Sequence, residues 1–169
     1  MNEQNLDSII EFVDLIENDK AIAIVRIGSG IGLTLSLEHG SDTEVFMRHS
    51  EAVKLAHLLQ EAIQQHESEI VHQIESLITA ELPNLPSHLQ EWAKNHLIAP
   101  KQMIFSKTDD GDGEVILWLI TDHTNNRDSS SRIVYDEIAK SFGLVMDMKN
   151  DVKWFMGLYG SFTETINAM

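Results

Sequence analysis

Between Glu51 and Leu82 the chain runs for 32 residues without a glycine or a proline, and Ala56, Leu59, Ile63, Ile70, Ile74 and Leu77 recur along it. Their spacing brings them to one face of a helix. The pattern predicts one long helix. At 1.5 Å per residue, about 30 residues span about 45 Å, which is longer than a domain of this size covers along its whole length. Two arrangements satisfy such a stripe. Either it faces a second copy of the chain as a homodimer seam, or the helix breaks near Gln64–Glu69 into two helices packed within one subunit.

Before this stretch, Leu6, Ile9, Ile10, Val13 and Ile16 recur at three- and four-residue steps while Asp7, Glu11, Asp14 and Glu17 point elsewhere, which predicts an amphipathic helix over Asn5–Asn18. Ala21–Ile27 is an apolar run suited to a strand. Ile31, Leu33, Leu35 and Leu37 alternate with Gly32, Thr34 and Ser36 as a second strand, and Thr43–Met47 is a third. Ser50 is placed to cap the long helix. The N-terminal half therefore reads as an αβββα unit.

Leu82-Pro83-Asn84-Leu85-Pro86 is the proline-rich point and the natural boundary, dividing the chain into 1–82 and 87–169 unless both halves share a single core. Ser87 with Gln90 has capping-box spacing for a short helix ending near Leu97. Strands follow at Gln102–Lys107, Glu114–Thr121, Arg132–Asp136, Phe142–Asp147 and Val152–Tyr159, and Ser161 with Glu164 opens a final helix. The expected class is α+β: an N-terminal αβββα unit, a long central helix, and a C-terminal antiparallel meander of about five strands with a terminal helix.

Composition restricts what such a fold can do. The 169 residues include 27 Asp and Glu against 12 Lys and Arg, a net charge of −15, and no cysteine. Disulfide scaffolds, thiolate zinc sites and cysteine nucleophiles are excluded. An acidic chain is repelled by phosphate backbones, so direct nucleic-acid binding is not expected. The longest apolar runs, such as Val115–Ile120, are far too short to span a bilayer, and Met1–Lys20 carries six acids before its first base and no signal-peptide core. A cytoplasmic protein without membrane contact is expected. The charge is unequal: −11 up to Pro86 and −4 from Ser87 onward.

The motifs that invite a chemical reading do not satisfy its requirements. In Gly28-Ser29-Gly30-Ile31-Gly32 the third glycine comes one residue early for a dinucleotide loop, and strand alternation follows where a helix is needed. Asp110, Asp112 and Gly113 resemble part of a calcium loop, but its first and twelfth positions would be Thr108 and Leu119. Eight histidines include no H-x-x-x-H pair, so neither a metal nor another cofactor is expected. Asp122, His123 and Ser129–Ser131 supply the residue types of a hydrolase triad without a nucleophile elbow.

The leading expectation is an acidic protein-interaction module, such as an inhibitor, immunity-type protein or adaptor, that takes a basic protein partner. Glu61, Glu67, Glu69 and Glu75 would supply rim charges around an apolar contact at Ile70 and Ile74. The alternative is a small-ligand-binding protein or enzyme, with Asp122, His123 and Arg132 at the mouth of a cleft between sheet and helices.

Overall fold

A computed structural model of the chain describes residues 8–16, 21–27, 30–37, 42–122, 131–148 and 152–169. The turns expected at Gly28-Ser29 and Lys149-Asn150-Asp151, and residues 123–130, lie outside the described residues. The class is α+β, as the patterning predicts. In chain order the elements are β1 (Ser8–Ile16), β2 (Ala21–Ile27), β3 (Ile31–Leu37), β4 (Thr43–Met47), α1 (His49–Glu81), a short 3-10 turn (Leu82–Asn84), α2 (Ser87–His96), β5 (Leu97–Ser106), β6 (Glu114–Thr121), β7 (Ser131–Asp136), β8 (Ser141–Asp147), β9 (Lys153–Gly160) and α3 (Phe162–Asn167). None of the described helices is long and apolar enough to cross a membrane.

One element differs from expectation. Ser8–Ile16 is a strand, not a helix, and it pairs antiparallel with β2 from Ser8↔Ile27 to Ile16↔Ala21. The opening unit is thus ββββα. The ladder is irregular between Ile9 and Glu11 and between Asp14 and Ile16. Each irregularity shifts the alternation by one residue, so apolar positions recur at three and four as they would on a helix. The strong β-propensity of Ile9, Ile10, Phe12, Val13 and Ile16 is the signal that resolves the ambiguity.

The first four strands form one antiparallel sheet in the order β1-β2-β3-β4. The helix that follows is unbroken, so of the two arrangements the break near Gln64–Glu69 is not the one adopted. Its start is closed by Glu51, whose side chain accepts a 2.8 Å hydrogen bond from the Arg48 backbone N–H, while Ser50, the expected cap, lies inside the first turn. The chain divides into two compact units, Met1–Gln65 and His66–Met169, with the division inside α1.

In the second unit the five-stranded meander closes on itself as a barrel, β5-β6-β7-β8-β9. Neighbouring strands are antiparallel, and β5 meets β9 in parallel at Ser106↔Trp154. Four antiparallel steps bring the fifth strand back in the direction of the first. Strand alternation then makes two apolar layers. Phe105, Leu117, Leu119, Val134 and Val145 form one, and Trp118, Ile120, Ile133, Tyr135, Phe142 and Leu144 pack with Ile74, Ile78, Leu85, Ala93, Phe162 and Ile166 of the helical segments in the other. The Leu82–Pro86 corner lies inside this unit, and Ile78 before it shares a core with Ala93 after it.

The two capping boxes read from the sequence have different outcomes. Ser161 and Glu164 form one around α3: Glu164 N–H donates to Ser161 Oγ at 3.2 Å and Ser161 N–H to Glu164 Oε2 at 2.8 Å. Ser87 caps nothing, because Pro86 occupies the cap position. Gln90 instead donates to the Leu85 carbonyl at 2.8 Å, pinning the corner that precedes α2.

Candidate functional site

The first unit has an unusual distribution of apolar surface. Among the residues of this unit whose burial is described, no hydrophobic side chain is buried, although Thr34 is, donating its hydroxyl to Glu44 at 3.3 Å. β4 lies at the edge of the sheet and pairs with β3 through Ile31↔Met47, Leu33↔Val45 and Leu35↔Thr43. Val45 and Phe46, on opposite faces of this strand, are 51% and 64% exposed. Acids adjoin them. Asp42 accepts from Ser36 Oγ at 2.6 Å, and Glu44 separates Thr43 from Val45. The outer edge of β4 therefore offers backbone donors and acceptors, an apolar side chain on each face, and two carboxylates, the features by which an extended segment is taken up as an added strand. Sequence reasoning identified the strand but not its role. The legible signal was adjacent apolar residues, Val45-Phe46, in a strand too short to have both faces covered.

The residues expected to form the partner contact are not brought together. Ile74 is 0% exposed in the core of the second unit and so is not a surface for a partner or a dimer seam, while Ile70, half-buried, packs against the same core. This corrects the expectation. The covering layer is the chain's own barrel. Glu61 is exposed and lies 3.3 Å from His57 in the first unit; Glu67 is half-buried, and Glu69 and Glu75 are exposed, in the second. At 100° per residue, Glu67 and Glu69 point about 160° apart, so these two acids do not share one rim.

Of the alternative site, two residues are described. Arg132 is buried on β7 and its guanidinium is bonded to the Asp147 carboxylate on β8, while its Nε is buried with no acceptor. Asp122 is half-buried at the end of β6, where its N–H donates to the His96 carbonyl at 3.0 Å. His123 lies outside the described residues. Among the described residues a groove of about 420 Å³ is lined by His88, Leu89 and Trp92 of α2 and by Ile166, Asn167 and Met169.

Two of the described histidines have defined neighbours in the second unit. His66 lies 3.8 Å from Glu137, which also accepts a 2.8 Å bond from the Trp118 indole; His96 stacks on Trp92 with centroids 4.7 Å apart. Among the described residues no three His, Asp or Glu side chains are grouped as metal ligands. The acidic turn at Asp109–Gly113 is organised around Thr108, which donates to Asp110 and accepts from the Asp112 N–H at 2.9 Å. The Thr108 hydroxyl, and then the Asp112 backbone, hold the Asp110 carboxyl below its ordinary pKa.

No family model, curated protein or solved structure matches this chain.

Proposed function

We propose that the chain is an acidic, cytoplasmic protein-interaction module, acting as an inhibitor or adaptor, that takes a basic protein partner through β4. The observation that carries this reading is the exposed edge strand with Val45 and Phe46 uncovered beside Asp42 and Glu44. Residues 1–65 hold 11 acids against 4 bases, so a basic protein is drawn toward this unit before contact. An extended segment of that partner then adds to β4, with main-chain hydrogen bonds supplying affinity and its apolar side chains covering Val45 and Phe46. The second unit, with a closed barrel and its own core, is the rigid body on the same chain.

The test is capture of a basic protein on the immobilised chain at low and high salt, repeated with the double variant Val45→Lys/Phe46→Ser. Retention at low salt, loss at high salt and loss with the variant are expected. Retention indifferent to the variant, or no retained protein at either salt, refutes the reading.

A further inference from the structure

α1 carries a stripe whose two halves have different fates. Leu55, Leu59, Ile63, Ile70, Ile74 and Leu77 fall within about 100° of one another around the helix axis. In the second unit this stripe has its cover: Ile74 is fully buried, and Ile70 and Leu77 pack against the same core. In the first unit the same line of side chains emerges uncovered, with Leu59 and Ile63 55% and 56% exposed. Val53 and Leu58 are also exposed, on the flanks. Eight of the twelve residues from Ala52 to Ile63 are apolar, and they spread over an arc of about 220° around the helix, with Lys54, His57 and Glu61 on the remaining side.

We infer that this uncovered half of α1 is the seam of a symmetric dimer, helix against helix, between two copies of the chain. Three observations select a second copy as the occupant. The first is charge. Along the stripe from Ala52 to Ile63 no carboxylate interrupts the apolar side chains, and Glu61 points about 160° away from Ile63, so this face holds nothing that would prefer a basic protein. For a chain of net charge −15, a charge-free face is also where two copies can meet with least repulsion. The second is geometry: Leu55, Leu59 and Ile63 are spaced at four-residue steps, forming the ridge that packs into the matching groove of another helix, and a two-fold axis sets each ridge against its own equivalent.

The third is area. Val53, Leu58, Leu59 and Ile63, each about half exposed, present roughly 400 Å² of apolar surface per copy, as large as the patches that mark contact sites on monomers. Two copies that close over both flanks as well as the stripe would bury at most about 800 Å² of apolar surface. With apolar atoms making up about 60% of an interface, that corresponds to about 1,300 Å² in all, within the range of stable complexes.

The experiment is the mass of the purified chain, with no partner present, by sedimentation near 0.15 M salt, where the repulsion between acidic surfaces is screened. Twice the 19.1 kDa chain mass is expected for the wild type. The double variant Leu59→Glu/Ile63→Glu is expected at the single-chain mass with an unchanged circular dichroism spectrum, and Lys54→Glu, on the opposite side of α1, at the dimer mass. A single-chain mass for the wild type up to about 100 μM overturns the inference, as does a dimer mass kept by the double variant. A wild-type monomer in which Leu59 and Ile63 become protected only on binding a basic protein assigns the stripe to that partner and equally overturns it. Because no partner enters the sedimentation measurement, its result stands apart from the fate of the β4 reading.

Discussion

Arg132 of β7 and Asp147 of β8 form an ion pair with one partner buried and the other 55% exposed. The Nε of the guanidinium is buried with no acceptor among the described residues, and the Asp147 carboxylate is the ion-pair partner described for it. Removing Asp147 leaves a buried cation unpaired, whereas removing Arg132 also removes the unsatisfied donor. Asp147→Ala is therefore expected to cost about 2–3 kcal/mol in urea unfolding, below the fully buried limit because water reaches the carboxylate, and Arg132→Met less than about 1 kcal/mol. Equal costs would show that the packing of the arginine stem, and not its charge, is what matters.

Ile74 gives a second contrast. Its side chain is enclosed by the barrel's helical layer, so Ile74→Ala should destabilise the second unit by about 3 kcal/mol. Ile74→Asp should unfold that unit, read as loss of near-ultraviolet dichroism from the core aromatics. A folded Ile74→Asp chain would contradict the burial described for this residue.

Gly143 of β8 pairs with Leu158 of β9, one residue along from Gly157. A Cβ on Gly143 would lie 2.5 Å from the Gly157 carbonyl oxygen and 3.0 Å from the Phe155 ring, in a stretch where the ladder is already bulged. Backbone cannot yield as a flexible side-chain tip can. Gly143→Ala is expected to cost at least about 2 kcal/mol in thermal or urea unfolding. Gly157 itself has φ of +138°, a conformation that a side chain resists.

Two groups set opposite pH limits. The Ser161 backbone N–H, and then the Ser161 hydroxyl, hold the Glu164 carboxyl below its ordinary value of 4.5. Its contribution to stability is present above the unfolded pKa and lost as pH falls through the lower folded value. Glu164→Gln should flatten that acid loss without abolishing folding at pH 7. Burial, followed by the charges of Asp136 and Glu137, pushes the Tyr135 hydroxyl above 10.0, where it accepts a 3.0 Å bond from the Gln73 side chain. The folded state thus holds this proton more tightly, and stability falls as pH rises above 10. Tyr135→Phe should reduce that alkaline loss, measured by denaturant midpoints from pH 8 to 11.

Where a single element meets one environment, its pattern was readable. The absence of Gly and Pro from Glu51 to Leu82 foretold an unbroken α1, and Ser161 with Glu164 foretold the cap of α3. β1 was misread because its irregular pairing with β2 imitates helical spacing. Ser87 was misread because Pro86, with its fixed φ, took the cap position first. The roles along α1 were hidden for a deeper reason. Ile63 and Ile74 are the same residue type on the same stripe, and only the tertiary structure distinguishes the one left open from the one enclosed by a barrel whose strands come from later in the chain.

The parallel meeting of Ser106 and Trp154 has a consequence for how this protein is made. Its two strands are the first and last of the meander, so the ring stays open until the final strand has left the ribosome. Until then, newly synthesised β5 and β8 both present raw edges to the cell, and the last strand acts as the clasp that ends their exposure to chaperones and to one another.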